Sequence, residues 1–329
     1  MYDSGNFVIS LDFELLWGMR DKVTIAEYGD NLLGVWEALP KILDLFEKFE
    51  VKTTFATVGF LFAYSKEELV RYSPVNKPKY EHKNLSPYNG HFDLIKENEL
   101  IDKYHYATSL IALLKNYPKQ EIASHTFSHY YCLEKGQTKE DFRNDLMAAV
   151  NIAASKNITL KSLVFPRNQI HEDYLDVLEE VGICSYRGNE KSWFYRAESN
   201  NQETLFKRAI RLLDAYINIS GHNCYDLEGI HQKKPYNIPS SRFLRPYWQS
   251  LKAFEQLRLR RILNSMTYAA KKKRLYHLWW HPHNFGIYQE ENLVFLSKIL
   301  THYQLLNKEY GFESLTMNEL AESINERYD

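Results

Sequence analysis

Cysteine is scarce in this chain: Cys132, Cys184 and Cys224 are odd in number and far apart among 329 residues. No Cys-x-x-Cys pair occurs, so neither a disulfide framework nor a thiolate zinc site is indicated. Net charge is equally slight. The 41 basic and 42 acidic side chains leave −1, which gives the molecule as a whole no electrostatic pull toward nucleic acid. No apolar run approaches the roughly 18 residues of a membrane-spanning helix. The segment Met1-Tyr2-Asp3-Ser4-Gly5-Asn6 lacks a basic stretch, and the apolar Phe7–Leu11 after it is too short for a signal core. A cytoplasmic protein is therefore expected. Internal repeats and low-complexity tracts are missing as well.

What the chain does have is core-forming material, since 44% of its residues are hydrophobic and one large domain can bury them. Its 24 Tyr, 18 Phe and 6 Trp are mostly packing residues, and the surplus also suits stacking on sugar rings. Short β-branched and aromatic runs read as strands at Phe7–Leu11, Thr53–Val58, Glu121–Ser124, Ser162–Phe165, Ile183–Tyr186, Leu275–Trp280 and Glu313–Thr316. Helical spacing fills the intervals, with helices at about 35–49, 100–116, 138–156, 172–181, 202–216, 248–273 and 289–308 and a final one after Thr316. Roughly seven strands interleaved with helices predict parallel βαβ construction and a closed or nearly closed barrel. The pattern breaks at about 73–98 and again from 221, and both breaks are expected to be insertions at the substrate entrance.

In such barrels chemistry gathers where strands end. His125-Thr126-Phe127-Ser128-His129 follows the strand Glu121–Ser124, and two imidazoles at this spacing can grip one divalent metal. Asp12 and Glu14 end the first strand on one side of it, with Phe13 on the other. A buried strand should not end in two unpartnered carboxylates. One of them joins the histidines in a two-His, one-carboxylate site, which leaves a position for water as catalytic zinc does; the other is left to take a proton.

Arg167 follows the strand Ser162–Phe165 and is predicted to hold Asp12 by a bidentate ion pair. His281, ahead of Pro282, is predicted to be the general acid, in preference to His283 and the deeper His277. The basic helix at about 248–274 reads first as a solvated face and second as a surface for anionic membrane or an anionic carrier.

Taken together these residues resemble the polysaccharide deacetylase superfamily, the NodB-homology or carbohydrate esterase family 4 group. The resemblance covers most of the chain in order. His125-Thr126-Phe127-Ser128-His129 matches the family's His-(Ser/Thr)-x-x-His metal motif, Asp12-Phe13-Glu14 looks like its Asp-Asp or Asp-x-Asp motif, and Leu278-Trp279-Trp280-His281 resembles its late motif. The resemblance implies a distorted (β/α)7 barrel, here with loop and helical insertions at about 73–98 and 221–274. It also implies Asp12 as base and Glu14, His125 and His129 as ligands of one divalent metal, zinc foremost among the transition metals. Two departures stand out: Glu14 replaces the usual aspartate, and Pro166-Arg167 reverses the family's Arg-before-Pro order.

The activity this implies is removal of an N-acetyl group from an amino sugar of a glycan precursor, nucleotide- or lipid-linked. The rivals are hydrolysis of a non-glycan C–N bond on the same barrel and a catalytically degenerate carbohydrate-binding protein.

Overall fold

The computed structural model describes residues 4–197, 199, 204–230 and 233–328. Among them run nine strands: β1 (Asn6–Phe13), β2 (Thr54–Thr57), β3 (Glu121–Ser124), β4 (Ser162–Leu163), β5 (Ser185–Tyr186), β6 (Tyr236–Asn237), β7 (Arg242–Phe243), β8 (Leu275–Trp280) and β9 (Glu313–Leu315). All pairings are parallel, and the sheet follows the order β6-β5-β4-β3-β2-β1-β8-β7. Its two edges belong to one stretch of chain. Tyr236 and Asn237 pair with β5, and a few residues later Arg242 and Phe243 pair with β8. Residues 236–243 thus close the sheet into a parallel barrel of seven staves, surrounded by helices.

The expected strand count is right, but one member differs. Glu313–Leu315 is no separate stave; it pairs beside the start of β1, on Asn6–Val8. The closing stave lies instead inside the predicted insertion from 221. Pro235, Pro239 and Pro246 break its pattern, so no period-two signal survives. The predicted helix at 100–116 is shorter, Thr108–Lys115.

Residue parity on β1 sorts the interior. Phe7, Ile9, Leu11 and Phe13 face the outer helices in the main core, where the helix Val35–Lys48 contributes Leu39, Ile42, Leu43 and Phe46. Val8, Ser10 and Asp12 face the other way, into the ring. Val8 packs with Ala56, Val164, Ile238 and Leu275, and the helix Met317–Tyr328 adds Met317, Leu320 and Ile324 to the same cluster. Ser10 meets His277 from β8, with Nε2 and Oγ 2.9 Å apart. The polar residues of the lumen therefore climb toward the C-terminal strand ends.

The helix Lys139–Ser155 begins with a reciprocal cap: Thr138 N donates to Asp141 Oδ2 at 3.0 Å, and Asp141 N donates to Thr138 Oγ1 at 3.1 Å. That start sets the helix phase so that Asp145, one turn on, is wholly buried against the loop after β3.

Candidate active site

Glu14, His125 and His129 converge although 111 residues separate the first two, because β1 and β3 are near neighbours around β2. One ligand-type atom from each lies within 4.8 Å of the others, and all three side chains are buried. His129 Nε2 stands 3.0 Å and His125 Nε2 3.3 Å from the same oxygen, Glu14 Oε2. The histidines do not sit on one helical turn. Thr126 (φ 61°) and His129 (φ 56°) are left-handed, and so is Leu15 (φ 46°) after Glu14. Non-glycine residues held there cost on the order of 1–3 kcal/mol each, strain that concentrates at functional sites.

Asp145 holds this loop. Its Oδ1 accepts from Phe127 N at 2.8 Å and Ser128 N at 3.3 Å, and Ser128 Oγ donates to Oδ2. Burial raises the Asp145 carboxyl to about 6 despite these donors. Thr126 Oγ1 accepts from Tyr130 N at 2.7 Å and ties the loop's far end.

The donor set fits a metal cation. His125 Nδ1 lies 2.8 Å from the carbonyl of Val164, which only accepts, so Nδ1 carries the proton. Nε2 then aims a lone pair at the Glu14 carboxylate, an arrangement reconciled by a cation between them. Burial pushes His129 down to about 3, which leaves a neutral imidazole suited to ligation. Burial alone would raise Glu14; its neighbours His281, His125 and His129 outweigh that and hold it well below the carboxylate range.

Asp12 is held by an arginine, but not the expected one. Arg187, directly after β5, makes the bidentate pair: Nη1 to Oδ1 at 2.6 Å and Nη2 to Oδ2 at 2.7 Å. Its Nη1 also donates to Ser10 Oγ at 3.0 Å, and its guanidinium lies 4.2 Å from the Trp279 ring centre. Burial works to raise the Asp12 carboxyl, and Arg187 brings it below its ordinary value. Arg167 instead pairs with Asp21 and stacks over Tyr131 at 4.3 Å. Its φ of 53° turns it off the β4 line toward the cavity wall, so the predicted bond to Asp12 is replaced by Arg187. Arg187 was readable as a cation at a strand end, as Arg167 was; only the ring decides which one meets Asp12.

His281 has Nε2 3.8 Å from Asp12 Oδ2 and 3.6 Å from Glu14 Oε1, and its side chain is 22% exposed to the cavity. Asn284 Oδ1 lies 3.2 Å from its Nδ1 and fixes the ring. His283 is buried behind it, stacked at 4.9 Å, and His277 is locked in the lumen between Ser10 and the Ile238 carbonyl. Neither alternative histidine lines the cavity.

Asp12, Glu14, His129 and His281 form the floor of a cavity of about 710 Å³. Its walls come from Met19, Arg167–Gln169, Glu190 and Trp279, from Tyr195–Ala197, from the helix face of Lys207, Arg208 and Arg211, and from Arg242, Phe243 and Arg245. Within the stretch from 221, Arg242, Phe243 and Arg245 line the cavity. The stretch 73–98 does not; it packs Tyr88 and Phe92 on Phe60, behind the histidine loop. The basic helix also differs from expectation, for it runs from Glu255 to Lys271 and turns Arg258 and Arg261 inward, onto Glu255 and Asp214.

No family model matches the sequence, and no curated protein matches it. Solved structures do. A protein assigned as a polysaccharide deacetylase from Mycobacterium smegmatis aligns over 99% of this chain and 91% of its own, with TM-score 0.56 and 12% identity. The chain has the fold of the polysaccharide deacetylases. A second protein so assigned, from Pseudomonas aeruginosa, aligns over 98% of this chain and 91% of its own, with TM-score 0.51 and 11% identity. Puue allantoinase aligns equally widely, over 98% of this chain and 90% of its own, with TM-score 0.55 and 10% identity. Similarity at this level defines the barrel and leaves the substrate to the site. Among the described residues, no helix is long and apolar enough to cross a membrane.

Proposed function

We propose that the protein is a metal-dependent amide hydrolase that removes the N-acetyl group from an amino sugar of a glycan precursor. The observation that carries this reading is the convergence of Glu14, His125 and His129 beside an Arg187-held Asp12 and a cavity-facing His281. Glu14, His125 and His129 would hold one divalent ion, with zinc the first candidate. When bound, that ion polarises a carbonyl and lowers the pKa of water.

The chain's own residues handle the protons. Asp12 is ionised at neutral pH, and its carboxylate at the cavity floor accepts a proton from attacking water. Arg187 fixes the direction of that carboxylate through two parallel bonds. His281, 3.8 Å from Asp12 and open to the cavity, delivers a proton to the departing nitrogen. Trp279 and Phe243 offer aromatic surface at the wall for a sugar ring.

Release of acetate from N-acetylated amino sugars by the zinc-loaded chain, lost in Asp12→Asn, is the expected result. Hydrolytic ring opening of a cyclic ureide, with no acetate released from N-acetylated amino sugars, would overturn the glycan reading in favour of the chemistry named for the allantoinase. A chain that cannot take up stoichiometric divalent metal would instead be a binding protein.

A further inference from the structure

The cavity is divided by charge. Of the carboxylates that line it among the described residues, Asp12 and Glu14 lie at the floor and Glu190 on the wall beside Trp279. Its outer wall carries Arg196, Lys207, Arg208, Arg211, Arg242 and Arg245. Some of these are already engaged. Arg242 pairs with the buried Asp214 at 3.3 Å, and Arg211 donates to the Phe194 carbonyl at 3.3 Å. Arg196, Arg208 and Arg245 have neither a carboxylate nor a hydrogen-bond acceptor for their guanidinium groups among the described residues.

Arg245 is the telling member. It is only partly exposed, and its guanidinium lies 5.9 Å from the centre of the Phe243 ring. Burial, with the charges of Arg211 and Arg258 behind it, pushes its pKa below the ordinary arginine value, against the opposing influence of Tyr195 and Tyr216. A guanidinium kept among like charges without an acid partner is costly unless an anion arrives to complete the site. The helix Leu205–Asp214 is built to supply the remaining charge. Lys207, Arg208 and Arg211 line the cavity, while Leu205, Phe206 and Leu213 of the same helix do not line it and stand exposed.

We infer that the outer wall of the cavity is a binding subsite for a diphosphate or phosphate group carried by the sugar substrate, with Arg245 and Arg208 as its principal contacts. This deepens the proposed deacetylation and rests on it for the identity of the sugar end. Several converging guanidinium groups suit a polyanion, whereas a single sugar carboxylate is satisfied by one bidentate arginine. With the acetamido group at the floor and the phosphate at the mouth, the substrate lies along the gradient from acid to base.

The test uses the metal-free chain, so that phosphate binding to an ion at Glu14, His125 and His129 does not intrude. Calorimetric titration with inorganic pyrophosphate should show saturable binding that weakens with added salt. Arg208→Ala and Arg245→Ala should each weaken it at least tenfold, with zinc affinity unchanged in both. Arg208 is exposed, so its variant decides the matter even if Arg245→Ala folds poorly. Titration with uridine diphosphate and with vesicles carrying a polyprenyl diphosphate distinguishes the source: tighter binding of the first indicates a nucleotide carrier, of the second a lipid carrier, and either supports the subsite. No pyrophosphate binding by the parent chain, or binding that both variants retain, overturns it. Acetate release without anion binding would sink the subsite and leave the hydrolase reading intact; anion binding without acetate release does the reverse.

Discussion

A β-carbon on Gly18 would lie 2.0 Å from Cδ of Glu14 and 2.1 and 2.3 Å from its two carboxylate oxygens. The turn Leu15–Gly18 thus leaves a hollow that the longer glutamate arm fills where aspartate is usual in the family that the sequence resembles. Glu14 cannot simply swing aside, because His125 and His129 hold its Oε2 from the other side.

Gly18→Ala should therefore weaken zinc binding by about 10- to 100-fold, the range seen when residues supporting a metal ligand are lost. Thermal stability should move little, since the clash falls on one side chain and not on the core. Dye competition for zinc measures the first and a thermal melt the second. His125→Ala serves as the comparison that should lose the metal outright. Unchanged zinc affinity in Gly18→Ala would remove the proposed role of this hollow.

Arg187 and Arg167 should separate cleanly. Arg187 lowers the Asp12 pKa, so weakening the pair raises it and moves the acid limb of kcat/KM to higher pH. Removing one partner of a buried pair costs about 3–5 kcal/mol, so the variant to use is Arg187→Lys, which keeps the charge and loses the fork. Arg167→Ala, paired with Asp21, should leave that limb in place. A pH profile shifted by Arg167→Ala and not by Arg187→Lys would reverse the assignment.

Asp145 links loop order to pH. Its folded value of about 6 exceeds the ordinary 3.8, so the fold favours the protonated form. Its contribution to stability is thus complete below about pH 4 and is lost as pH rises through 6. Asp145→Asn keeps an acceptor for Phe127 N and Ser128 N and should flatten the stability profile of the metal-free chain between those values. Asp145→Ala leaves two buried N–H groups unpaired and should cost about 2–6 kcal/mol, at roughly 1–3 each. Denaturant titration across pH checks both; parallel profiles for parent and Asp145→Asn would show that this carboxyl does not titrate there.

His281→Ala should retain zinc, because His281 lies outside the Glu14–His125–His129 group. Loss of the acid should harm amide hydrolysis far more than hydrolysis of an activated ester, whose leaving group needs no proton. Rates on the two substrates make the comparison. Equal losses would point away from His281, with the buried His283 the neighbour to examine next.

Local sequence was enough to place most of the staves and to mark Asp12, Glu14, His125, His129 and His281 as residues at strand ends. Each signal there is short-range: β-branched runs, a fixed spacing within one loop, parity along one strand. Four features lay beyond it. The closing stave at 236–243 is too short and too proline-broken to have a period, and it forms because two edges of the sheet are left for it to join. The choice of Arg187 over Arg167 is made by the lumen side of β5 and by the left-handed turn at Arg167, which no spacing encodes. The hollow at Gly18 and the arginines at the cavity mouth gain meaning only from neighbours far along the chain. Periodicity records which way a residue faces along its own element, and only the closed ring decides what it faces.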